Sequence, residues 1–448
     1  MFLFDFLPAE LRDLLITYLD AKCLSICEVC CSGWKKDLQG MANCIHEQLW
    51  ASHGGLSTSL CLDHKEANKL HYSMLNSPSA SVLHSRYLHD DKIVGLCRHS
   101  DSSLYSAGFS ASACAYSPAE DLVEYLTLGT SPSVHWSRSI ELSAYTSCVL
   151  AKDDRGGDLF VAGTKTGSLV LFPIACPRNS VQLKLSESHI RSMCVAGEEN
   201  QYVFVGDGSG IVRCLRFFWR NDLPSHRIGV VSRWELDVKN TDSFNLTVTC
   251  ISSFGDRVVA CTKMNGLYVW HRDRPLDGSM SPWTLVKHID HPRFHDRHAT
   301  CVKFVTQGIC VVGTRGASFT GENSRILKML KDECCFAIDL DSSIHKRCVN
   351  VLWSLPISRT ILSVLPFTKD LILFSIDMCG IQIWDVQRKI KVNVVEVYDE
   401  AKQKILNCRN LLVCSGGFMT TAGGKIVTIE WINKSAGGKK HITQGKRK

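Results

Sequence analysis

Residues 373–384, "LFSIDMCGIQIW", set a run of strand-forming side chains, a short polar turn holding a glycine, and a second apolar run closing on an aromatic. Apolar runs of this length bounded by turn chemistry are the mark of a β-hairpin. The same arrangement recurs at 160–172 ("FVAGTKTGSLVLF"), 204–215 ("FVGDGSGIVRCL") and 259–270 ("VACTKMNGLYVW"). Their turn glycines, Gly167, Gly210, Gly266 and Gly380, stand 43, 56 and 114 residues apart, and the last interval has room for another copy. Weaker copies fill it at 309–316 and 334–340, and two more flank the set at 103–116 and 411–432.

Upstream of most hairpins lies a further strand candidate, such as "IRSMCVA", "LTVTCISS", "ATCVKFV" or "TILSVLPF". Each unit then amounts to a four-stranded antiparallel sheet of roughly 40–60 residues, a repeat period typical of radial arrays. One such sheet cannot bury both faces, whereas sheets stacked around an axis cover one another. The expectation is an all-β propeller over 82–435, with seven blades and one blade completed by both chain ends. "VLHSRYLH" (82–89) is placed beside "KIVTIEWI" (425–432). The pattern resembles the WD-repeat family: "IQIWDV" carries Trp384 and Asp385, while "LYVWHR" keeps only Trp270.

Ahead of this region the texture is helical. In "LPAELRDLLITYLDAKCLSICEVCCSGWKK" (7–36), Leu11, Leu14, Leu15, Tyr18 and Leu19 recur at spacings of three and four, one face of a helix. Pro8 suits a first helical turn. A second short helix carries Leu24, Cys27, Val29 and Trp34, and a third is expected over about 41–50. A unit of this size has too little interior to cover its own apolar side chains, so part of that surface awaits a partner. Leu7-Pro8, Glu10-Leu11, Leu15, Tyr18-Leu19, Leu24, Val29-Cys30, Trp34 and the closing Leu49-Trp50 resemble an F-box. The resemblance implies a three-helix unit over 1–50 that docks a Skp-type adaptor and through it a cullin–RING ubiquitin ligase. Leu7, Pro8, Leu11, Leu15, Leu19, Leu24, Val29 and Trp34 would supply that interface or the core beneath it. Residues 51–81, with "HKEANKLHYSML" as a helix, form the linker, and 436–448 a basic tail.

Composition fits this division. The 448 residues exceed one ordinary core, and 45% hydrophobic with 21% charged residues is globular. The net charge of +7 is mild, and five of the positive residues sit in 438–448. The 22 cysteines are scattered through apolar runs, a distribution of reduced, buried thiols rather than of a short disulfide scaffold. A cytoplasmic or nuclear location is expected, where the sequons at Asn245 and Asn433 have no role. No apolar run reaches the length of a membrane span.

Chemical motifs are sparse. "TTAGGK" has Met419 where a phosphate loop needs glycine and Ile426 where it needs Ser or Thr. Cys27 and Cys30 have metal spacing but no second pair follows. His288, His291, His295 and His298 crowd one segment, yet Pro292 opposes a helix that would align them. No protease, hydrolase or kinase signature is present, so no catalytic residue, metal or cofactor is expected. Arg191, Arg293, Arg297 and Arg315 fall in or near inter-strand segments, where guanidinium groups at one mouth of the ring would grip an acidic or phosphorylated target. The F-box resemblance, with no catalytic motif beside it, thus implies a non-catalytic substrate receptor of an SCF-type ubiquitin ligase. The alternatives are a propeller scaffold outside any ligase, or a basic nucleic-acid-associated protein.

Overall fold

The computed structural model describes Glu47, Trp50, Ala51, residues 64–76 and the strands 81–87, 95–100, 111–117, 122–128 and 133–139. From 145 to 430 it omits 176–178, 198–200, 221–224, 237–245, 264–265, 274–280, 296, 316–332, 342–350, 400–402, 415–416 and 423–424. The adaptor-contact residues proposed from sequence, between Leu7 and Trp34, lie outside the described residues, as does the basic tail.

The described strands form a β-propeller. Seven four-stranded antiparallel sheets are present among them, here called A (95–139), B (145–184), C (190–235), D (248–289), E (299–355), F (361–395) and G (81–87 with 408–430). Their innermost strands follow one another around the ring, and the last, Cys408–Cys414, returns beside Gly95–Ser100. Sheet G is closed by the early strand Ser81–Tyr87, which pairs antiparallel with Lys425–Glu430 from Ser81↔Glu430 to Tyr87↔Lys425. This is the union of chain ends expected from the sequence. It removes an open sheet edge from the ring.

Burial explains why the strands read as continuous apolar runs instead of alternating ones. Both middle strands of sheet B, Asp158–Thr164 and Ser168–Pro173, are buried almost throughout, because neighbouring sheets cover both faces. Outer strands such as Thr284–Ile289 are mostly exposed. Side-chain hydroxyls lock sheet to sheet: Thr300 Oγ1 donates to Ile361 O at 2.6 Å, Thr146 Oγ1 to Ile190 O, and Ser375 Oγ to Cys408 O. The four turn glycines singled out in the sequence all have positive φ. At Gly167 a Cβ would lie 2.1 Å from Ser186 O, so only glycine fits the turn.

Helix α1 (His64–Asn76) lies ahead of the ring among the described residues and rests on sheet F. Ala67, Leu70 and Met74 are buried in one cluster with Trp50, Phe367 and Val395. The eleven cysteines with described side chains are free thiols. Burial pushes Cys194, Cys301 and Cys408 up to about 12, so they are packing groups and not nucleophiles at neutral pH. Among the described residues no helix is long and apolar enough to cross a membrane.

Candidate interaction site at one mouth of the ring

The backbone repeats one local design at one rim. In sheets C, D, E and F the residue after the second strand donates its N–H to the residue before the first. The pairs are Gly208 to His189 O (2.9 Å), Lys263 to Thr247 O (2.9 Å), Arg315 to His298 O (2.8 Å) and Asp377 to Thr360 O (2.9 Å). Equivalent positions therefore sit side by side around the opening. Next to this collar the first strands of sheets B to F each carry a bulge, where one extra residue is left unpaired. The bulge residues are Thr146, Arg191, Thr249, Thr300 and Leu362.

Three of the five are threonines tied to main-chain oxygens: Thr146 to Gly163 O (3.2 Å), Thr249 to Cys261 O (3.2 Å) and Thr300 to Gly313 O (3.0 Å). Leu362 and Arg191 depart from this pattern, and of the two Arg191 carries a charge. It is exposed, and among the described residues no carboxylate pairs with it or with the equally exposed Arg315. A repeat that replaces its structural residue with an exposed charge is a place to look for function.

Electrostatics bind these positions into one arc. Lys263 is held below its ordinary value, by burial first and then by Arg191 and Arg315. His298 is lowered by burial and by Lys263 and Arg315. His189 is lowered by burial and Arg191, with Asp207 opposing. Lys165, just after the second strand of sheet B, adds an exposed cation at the corresponding point. On sheet F the collar position is Asp377, whose Oδ1 accepts from Asn407 Nδ2 at 2.6 Å, so the cationic arc ends there.

Of the four arginines selected from sequence, Arg191 and Arg315 belong to this arc. Arg293 and Arg297 do not join it. Arg293 pairs with Glu333 at 2.6 Å and lies over the Phe336 ring at 5.2 Å. Arg297 is 4% exposed and donates to Glu333 O at 2.7 Å, so both guanidinium groups serve the interior of sheet E. Pro292–His295 forms one helical turn, and the histidines around it part company: His288 stacks on Tyr268 at 4.2 Å while His298 stands at the mouth. Sequence reasoning missed Lys263, His189 and His298 as members of the arc.

No family model matches the chain, and no curated protein matches it. Among solved structures, the chain resembles a computationally designed protein, Ika8, at 15% identity and a TM-score of 0.45, covering 77% of this chain and 97% of that one.

Proposed function

We propose that the chain is the substrate-recognition subunit of an SCF-type ubiquitin ligase, its N-terminal unit docking a Skp-type adaptor and its ring holding the target protein. The observation that carries the reading is the F-box-like run over 7–50, whose terminal Trp50 is packed onto a closed propeller. The target is bound at the mouth by Arg191, Lys263 and Arg315, which suit an acidic or phosphorylated segment through charge-assisted bonds. The chain performs no bond chemistry in this role. It raises the local concentration of a target lysine near a charged ubiquitin carrier, converting a bimolecular encounter into a nearly intramolecular one. A rigid mount between docking unit and ring serves that purpose.

Reconstitution with adaptor and cullin–RING tests the reading. The intact chain is expected to enter one complex with both. Charge reversal of Arg191, Lys263 and Arg315 together should abolish capture of an acidic or phosphorylated target and leave the complex intact. Adaptor binding without cullin would instead make the chain a scaffold outside the ligase.

A further inference from the structure

A second site lies outside the arc, in a cleft of about 600 Å³ between sheets B and C. Its walls include Lys184 at the end of sheet B's outer strand, Ser188 of the following loop, and Arg213 and Arg233 of sheet C. Arg213 and Arg233 are directly opposite one another on neighbouring strands. Like charges in that register repel and destabilise a sheet.

Each cation has a carboxylate partner, but the three pairs differ in how firmly they are held. Arg213 is 7% exposed and donates Nη1 to Asp207 at 2.7 Å. Asp207 also accepts from Ser186 Oγ, Ser209 N, Ser209 Oγ and Ile211 N, so its charge is shared among five donors. Among the described residues Arg213 makes no other hydrogen bond, and its remaining N–H groups are left for the cleft it lines. At the rim, Arg233 pairs with Glu235 at 2.5 Å, and Lys184 pairs with Glu187 at 3.3 Å while its Nζ donates to Thr166 O at 2.8 Å; the two carboxylates are 65% and 94% exposed at the side chain. Such pairs are weakly held and exchange readily for a stronger anion. Three ion-paired cations and Ser188 thus converge on a cleft that Glu187 also lines and that is too small for a folded partner.

We propose that this cleft is a phosphate-binding site, with Arg213 as its floor and Arg233, Lys184 and Ser188 as its rim. A dianion there relieves the Arg213–Arg233 opposition and displaces Glu187 from Lys184. The phosphate is either a free small molecule or a phosphoserine on a polypeptide. Both present the same tetrahedral oxygens to a planar guanidinium fork. The site does not depend on the receptor reading, because it uses no residue of the N-terminal unit or the arc.

Calorimetric titration of the full chain with inorganic phosphate, and separately with a synthetic phosphoserine peptide at equal ionic strength, tests the assignment. Arg233→Gln and Lys184→Gln should each weaken phosphate binding about tenfold, as loss of a charge-assisted bond does, and Glu187→Gln should tighten it. Both substitutions fall on exposed side chains, and circular dichroism verifies the fold. A peptide that binds at least tenfold more tightly than free phosphate identifies the polypeptide source, and equal affinities identify the small molecule. No saturable binding of either probe, or binding unchanged in the folded Arg233→Gln/Lys184→Gln variant, overturns the proposal.

Discussion

Trp50 and Phe367 meet edge to face, their ring centroids 5.2 Å apart and their planes at 72°. One belongs to the segment ahead of the ring and the other to sheet F, so this contact fixes the entry of the chain onto the propeller. His71 of α1 completes the set, stacked with Phe367 at 6.4 Å and edge-on to Trp50 at 6.4 Å.

Trp50→Ala should therefore loosen the mount without unfolding the ring. Removal of a buried tryptophan costs about 3–5 kcal/mol locally. Hydrogen exchange is expected to accelerate across 64–76 while sheets B to E keep their protection. Equal loss of protection everywhere would show that mount and ring unfold as one.

Ring closure makes a second expectation. A chain beginning at residue 80 keeps Ser81–Tyr87 and should retain a closed propeller, whereas one beginning at residue 89 exposes the edge of Lys425–Glu430. The shorter chain is expected to melt at lower temperature and to aggregate in light scattering, as unpaired edges do. Indistinguishable behaviour of the two truncations would argue against closure by this strand.

Asp207 offers a test of the buried polar network. Burial pushes its carboxyl up, but donors from Arg213, Ser186, Ser209 and Ile211 outweigh this and hold it below the usual carboxylate range. Asp207→Asn strands Arg213 without its counter-charge and should cost about 3–5 kcal/mol in urea unfolding. The contribution of the wild-type carboxylate is present above its ordinary value of 3.8 and fades as pH falls through the lowered one.

The histidines of the mouth give a pH signature. His189 and His298 are lowered from 6.5, chiefly by burial and then by neighbouring cations. An acidic partner raises both again, so binding takes up protons and affinity should climb as pH falls from about 7.5 to about 6. Stability moves oppositely, being full above 6.5 and declining as pH falls through the lowered values. His189→Gln with His298→Gln should flatten the affinity profile of an acidic peptide measured by fluorescence anisotropy.

Much of the fold was legible because its constraints are local. Gly167, Gly210, Gly266 and Gly380 announce turns that demand positive φ, and the apolar runs between them announce strands covered on both faces. The closing strand was expected from the resemblance to WD-repeat rings, which commonly complete one blade with strands from both chain ends. The candidate site was less legible, because membership depends on which residues become neighbours across sheets. Lys263 and Arg315 are 52 positions apart in sequence and share a collar position only once the sheets are registered. Arg297 misled for the same reason: its acceptor, Glu333 O, is 36 residues away and leaves no local trace.

The account rests on the N-terminal unit being a docking surface for a second protein. Calorimetric titration of the purified full chain with a purified Skp-type adaptor tests this most directly, beside a Leu11→Asp/Leu15→Asp variant whose ring is verified by its melting curve. A one-to-one complex that the variant fails to form is the predicted result. Absence of binding by the intact, folded chain, or undiminished binding by the variant, would contradict it.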